Sequence, residues 1–114
     1  MGCWFRQHRE MLITGEMYFQ LRKAGVDCYM ETTFPSDQHK GEEFRVDISV
    51  FDKTGSPTAV IEVKREGNRM SSNGRQARAY KGLQQRAGIK PIFLNSMSSV
   101  PEVLEEIKLM EGVL

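Results

Sequence analysis

Arg45-Val46-Asp47-Ile48-Ser49-Val50-Phe51, followed after a polar turn by Ala59-Val60-Ile61-Glu62-Val63-Lys64, decides how this chain is read. Both stretches are mostly apolar and read as adjacent strands, with Asp47, Glu62 and Lys64 set among them. Side chains on a strand point to opposite faces with period two. In the first strand Phe44, Val46, Ile48 and Val50 therefore share one face, and Arg45, Asp47 and Ser49 share the other. In the second, Ala59, Ile61 and Val63 share one face, and Val60, Glu62 and Lys64 the other. The connection Asp52-Lys53-Thr54-Gly55-Ser56-Pro57 suits a hairpin with a type I turn, Asp at its first position and Gly at its fourth. An antiparallel hairpin places Asp47 beside Glu62, both away from the apolar stripe. Charge buried in a small sheet is costly unless it is paired or binds a metal. Two carboxylates and a lysine brought together predict a metal site with an ammonium group beside it. The competing reading is a structural salt bridge in which Lys64 neutralises Glu62.

Outward from these strands the chain reads as one alternating α/β unit over residues 1–114. A helix is expected from about Arg6 to Lys23, stopped by Gly25, with Met11, Leu12, Tyr18, Phe19 and Leu21 as an imperfect apolar stripe. Val26 to Phe34 alternates as a strand, and 35–41 is a polar loop. After Lys64, residues 65–74 are rich in Gly, Ser and Asn. A second helix is expected from Gln76 to Ala87, packed through Ala77, Tyr80, Leu83 and Ala87 and closed by Gly88 as a left-handed stop. Lys90-Pro91-Ile92-Phe93-Leu94 is a short buried strand. Ser99-x-x-Glu102 has the form of a capping box opening a last helix to about Met110. The expected architecture is a mixed sheet of about four strands flanked by helices.

This order and these residues resemble the PD-(D/E)xK superfamily, the restriction-endonuclease-like nucleases, whose signature is an Asp on one strand and (D/E)-x-K on the next. Here the signature is Val46-Asp47 and Glu62-Val63-Lys64, with Val46 standing where the family has proline. The resemblance spans roughly residues 6–95 and is to small stand-alone members such as Holliday-junction-resolvase-like and VRR-NUC nucleases. The resemblance implies that Asp47, Glu62 and the Val63 carbonyl hold Mg²⁺, with Mn²⁺ able to substitute, and that Lys64 orients water or offsets charge on phosphate. It further implies a helix-borne glutamate facing the site. Glu16 is assigned that role, with Glu10 as its competitor. One branch of the family carries Q-x-x-x-Y after the strands, matched here by Gln76 and Tyr80, which share a helix face at i and i+4. Resolvase-like relatives would also place Ser36 and His39 near substrate.

Charge distribution supports a phosphodiester partner. From Lys64 to Lys90 there are eight basic residues against the single acid Glu66, a net +7, whereas residues 1–63 and 91–114 each carry −3. Arg65, Arg69, Arg75, Arg78 and Lys81 therefore form a candidate nucleic-acid surface, the alternative being a solvated basic face. The expected substrate is duplex or branched DNA, cut in a structure-selective or weakly sequence-specific way. With 114 residues, no separate target-recognition domain is expected. A rival of another class is a non-catalytic nucleic-acid-binding or assembly module on the same fold. A metabolic α/β enzyme finds no support, since neither a glycine-rich phosphate loop nor a Ser-His-Asp arrangement is present. Cys3 and Cys28 are not spaced as a C-x-x-C pair and read as reduced thiols. No segment reaches the length of a membrane span, no secretion signal is visible, and the expected location is the cytoplasm, a host's if the chain is virus-encoded. Trp4, Phe5, Leu109, Met110 and Val113 would suit a subunit interface, so a homo-oligomer is expected.

Overall fold

A computed structural model describes the backbone of residues 2–35, 43–64, 81, 82, 84, 85 and 87–112, and the side chains of residues 9–34, 45–64 and those later positions. Helix α1 (Gly2–Lys23) is followed by strands β1 (Asp27–Pro35), β2 (Glu43–Phe51), β3 (Pro57–Val63) and β4 (Lys90–Leu94). A short 3₁₀ turn (Met97–Ser99) then leads into helix α2 (Val100–Glu111). Between β3 and β4, residues 81, 82, 84, 85 and 87 are helical, within the expected second helix. The sheet runs β1-β2-β3-β4, antiparallel across the first two pairs and parallel between β3 and β4. The fold is therefore α/β with a mixed four-stranded sheet, as the alternation of patterns predicts. Among the described residues, no helix is long and apolar enough to cross a membrane.

Helices α1 and α2 cover one face of the sheet. Ile13, Met17 and Leu21, four residues apart on one side of α1, join Val103 and Ile107 of α2 over Cys28, Ile48, Val50, Ala59, Ile61, Val63, Ile92 and Leu94. The apolar stripe of α1 is thus not the expected one. Met11, Leu12 and Phe19 point outward at 70%, 56% and 57% exposure, and only Leu21 of the expected set is fully buried. The buried triad satisfies helical periodicity better, because i, i+4 and i+8 lie along one face. Gly25, at φ +84°, ends α1 in the left-handed conformation. The Val26 N–H donates to the Leu21 carbonyl and the Gly25 N–H to that of Arg22, each at 3.0 Å. Val26 and Leu21 both enter the core, so this stop also aims the chain into β1.

The β2–β3 hairpin follows its sequence closely. Gly55 N–H donates to the Asp52 carbonyl at 3.0 Å, closing the turn, and Asp52 Oδ1 accepts from the N–H groups of Thr54 and Ser56. The Thr54 hydroxyl, which donates to the same oxygen at 2.6 Å, and after it these N–H groups hold the Asp52 carboxyl below its ordinary pKa. At the other end, Ser99 is the cap position of α2 but makes no side-chain capping bond. Its hydroxyl lies 2.8 Å from that of Ser96, within the 3₁₀ turn, and Pro101 starts the helix instead. Ala87, expected in a packed stripe, is exposed.

Strand alternation is broken at one position, and this differs from the expectation for β2. Val46 does not share a face with Ile48 and Val50. It packs with Val60, Ile89 and Phe34 in a small cluster on the opposite side of the sheet. Val46 and Ser49, three residues apart, consequently lie on one side, since Ser49 pairs with Val60. The register Met30↔Ile48 and Thr32↔Val46 puts Glu31 of β1 opposite Asp47 at the break. Glu31 has φ +54°, the one non-glycine residue with positive φ among those described.

Candidate active site

The β2–β3 ladder runs to the pair Ile48↔Ile61 and goes no further. Beyond it, Asp47 Oδ2 accepts a 2.7 Å hydrogen bond from the Val63 N–H. A carboxylate thus occupies the place where a ladder carbonyl would otherwise bond. On the other side, β3 continues against β4, with Lys64 N–H donating to the Leu94 carbonyl at 2.9 Å. That bond fixes the end of β3 and with it Glu62 and Lys64. Strand β3 itself alternates as expected, with Ala59, Ile61 and Val63 in the main core and Val60 in the smaller cluster.

Glu62 is 7% exposed and is, with Ser49, one of two buried polar or charged side chains among the described residues. Lys64 Nζ stands 3.3 Å from Glu62 Oε1 and remains partly exposed. Asp47 is partly buried, and loss of hydration raises its pKa from 3.8 to about 6. The Val63 N–H opposes that rise, while the charge of Glu62, hydrogen bonding with it, and the charge of Glu10 reinforce it. The two strand carboxylates therefore lie against each other, as the hairpin predicts. Their surroundings differ from the prediction, because the break in alternation turns Asp47 toward α1. It lines a cavity of about 330 Å³ with Glu10, Met11 and Thr14 of α1 and Met30 and Glu31 of β1.

Of the two helix glutamates, Glu10 is the one brought to Asp47. Glu16 accepts a 2.8 Å hydrogen bond from Gln20 and lines a separate cavity with Met97, Val100, Pro101 and Leu104. The expectation for Glu16 fails on helix geometry. The stripe Ile13, Met17 and Leu21 sets the rotation of α1, and Glu16 then faces the 3₁₀ turn and α2. Lys81 is exposed. Gln76, Tyr80, Arg65, Arg69, Arg75 and Arg78 lie outside the described residues, as do Ser36 and His39.

Among the described residues no three His, Cys, Asp or Glu side chains already stand at metal-ligand spacing. The donor chemistry nevertheless fits a hard divalent cation. Two carboxylates in contact, one with a raised pKa, form a partly desolvated negative centre whose charge a cation would offset. Mg²⁺ binds through one or two carboxylates and keeps several waters, so it does not require three preformed side-chain ligands. No family model, no curated protein and no solved structure matches this chain.

Proposed function

We propose that this chain is a metal-dependent nuclease that hydrolyses DNA phosphodiester bonds, in the manner of the PD-(D/E)xK nucleases its motif resembles. The observation that carries the reading is the meeting of Asp47 and Glu62 where the β2–β3 ladder opens, with the Lys64 ammonium 3.3 Å from Glu62. Asp47, Glu62 and the Val63 carbonyl would hold Mg²⁺ or Mn²⁺. When bound, such an ion polarises a scissile phosphate and makes a coordinated water more acidic. Lys64, partly exposed beside Glu62, would donate to a phosphate oxygen or an attacking water as negative charge develops. Glu10 takes the part expected of Glu16, adding a carboxylate across the cavity from Asp47. The basic segment from Lys64 to Lys90, with Gln76 and Tyr80, would hold the DNA backbone. The protein would act in the cytoplasm, as a homo-oligomer when both strands of duplex or branched DNA are cut.

The test is cleavage of branched, duplex and single-stranded DNA in Mg²⁺, in Mn²⁺ and in EDTA, with melting measured beside it. Wild type should cut only with the metal. Asp47→Asn, Glu62→Gln and Lys64→Ala should each remove most activity and leave a folded protein. Robust cutting in excess EDTA would overturn the mechanism. Binding without cutting, together with variants destabilised by roughly 3–5 kcal/mol as for a broken buried ion pair, would favour the non-catalytic module.

A further inference from the structure

We infer that Glu31 is a positioning residue for Asp47 and acts through its backbone conformation rather than its charge. Left-handed φ brings the Cβ of an L residue against its own backbone, so residues other than Gly, Asn and Asp seldom adopt it. Glu31 does so at φ +54° in the interior of β1. The register puts it directly across from Asp47, between the pairs Met30↔Ile48 and Thr32↔Val46.

Both strands change face at this one rung. On β1, Cys28 lies in the core under the helices, whereas Thr32 accepts a 2.6 Å hydrogen bond from Ser49 on the other side and Phe34 packs there with Val46. All three are even-numbered, so an undisturbed strand would keep them together. On β2, Ile48 and Val50 lie under the helices and Val46 does not. The switch therefore falls at Glu31 on one strand and Asp47 on its neighbour. Without it, Asp47 would alternate onto the Ser49 side, away from Glu10 and Thr14. With it, Asp47 lines their cavity and reaches the Val63 N–H. Glu31 is itself exposed, so substitutions there leave the core untouched.

The cleavage readout rests on the nuclease reading, but the structural one does not. The full-length, metal-free chain labelled with ¹⁵N reports the Val63 amide directly. Glu31→Gly removes the steric penalty and Glu31→Gln keeps the shape without the charge. Both should leave Val63 protected from exchange and cleavage near wild type. Glu31→Ile disfavours positive φ and should lower Val63 protection about tenfold, the worth of one hydrogen bond. Its cleavage should fall by roughly a hundredfold, as for a misplaced reacting group. Should Glu31→Ile fail to fold, the smaller, polar but still β-branched Glu31→Thr also disfavours positive φ and should shift both readouts the same way. Unchanged Val63 protection in the Ile and Thr variants overturns the inference. So does loss of cleavage in Glu31→Gln with Val63 still protected, since the charge would then matter. If wild type cuts no DNA, the nuclease reading fails and the Val63 amide still decides the role of Glu31.

Discussion

Asp47 sits between opposing demands, since the Val63 N–H favours its ionised form while burial and two neighbouring glutamates favour the proton. The proton prevails up to about pH 6, against an ordinary value of 3.8. A carboxyl whose folded pKa lies above its unfolded one contributes stability at low pH and loses it as pH rises through the folded value. The metal-free protein should therefore lose stability between about pH 4 and pH 7 on account of this group. Asp47→Asn keeps an acceptor for Val63 and removes the titration. It should be more stable than wild type at pH 7 by roughly 1–2 kcal/mol, after allowing for water at a partly open group. Near pH 4 the two should match. Urea unfolding at both pH values in EDTA checks this, and a neutral-pH loss of stability in Asp47→Asn would contradict it. The meeting of Asp47, Glu62 and Lys64 was legible because a hairpin and a period of two suffice to bring them together. The surroundings of Asp47 were not, because they depend on positive φ at a glutamate, which no propensity favours.

At the level of elements, the strands were legible because Pro91–Leu94 of β4 is an apolar run and the 52–57 turn carries the residues its geometry needs, although in β4 only Ile92 and Leu94 are buried and Lys90 and Phe93 are exposed. Helix α1 was legible in extent but not in rotation. Its apolar residues are scattered around the cylinder, and only docking selects Ile13, Met17 and Leu21 over Met11, Leu12 and Phe19. The same docking separates Glu10 from Glu16, which at about 100° per residue lie roughly 120° apart around the helix. Gly15 sits inside α1, and an added Cβ there would meet no atom within 4 Å. Gly15→Ala should therefore stabilise the protein by about 0.5–1 kcal/mol through the unfolded chain's lost freedom. Thermal melting should rise with cleavage unchanged. A fall in melting temperature would mean that the space beside Gly15 is filled.

Over the whole molecule, charge and topology act together. The net +7 between Lys64 and Lys90 begins at the end of β3, two residues after Glu62. If that segment carries the DNA backbone, replacing Arg75, Arg78 and Lys81 with Ala should weaken binding across sequences alike. The slope of log affinity against log salt should fall by about 0.9 for each duplex phosphate left without its cationic side chain. An unchanged slope would put the DNA-binding surface elsewhere.

The sheet topology also has a kinetic consequence. Strands β1, β2 and β3 are sequential antiparallel neighbours, whereas β4 must return in parallel across residues 64–89. Closing that connection costs chain entropy before any packing of β4 repays it. The antiparallel part should therefore form in the folding nucleus and β4 should dock after the barrier. Ile48→Ala should slow refolding, while Ile92→Ala should chiefly speed unfolding, each removing a buried side chain. Stopped-flow chevrons would separate the two. If so, the parallel seam between β3 and β4 is the last part of the sheet to close and the first to open, and the main-chain bond from Lys64 to Leu94 is its clasp.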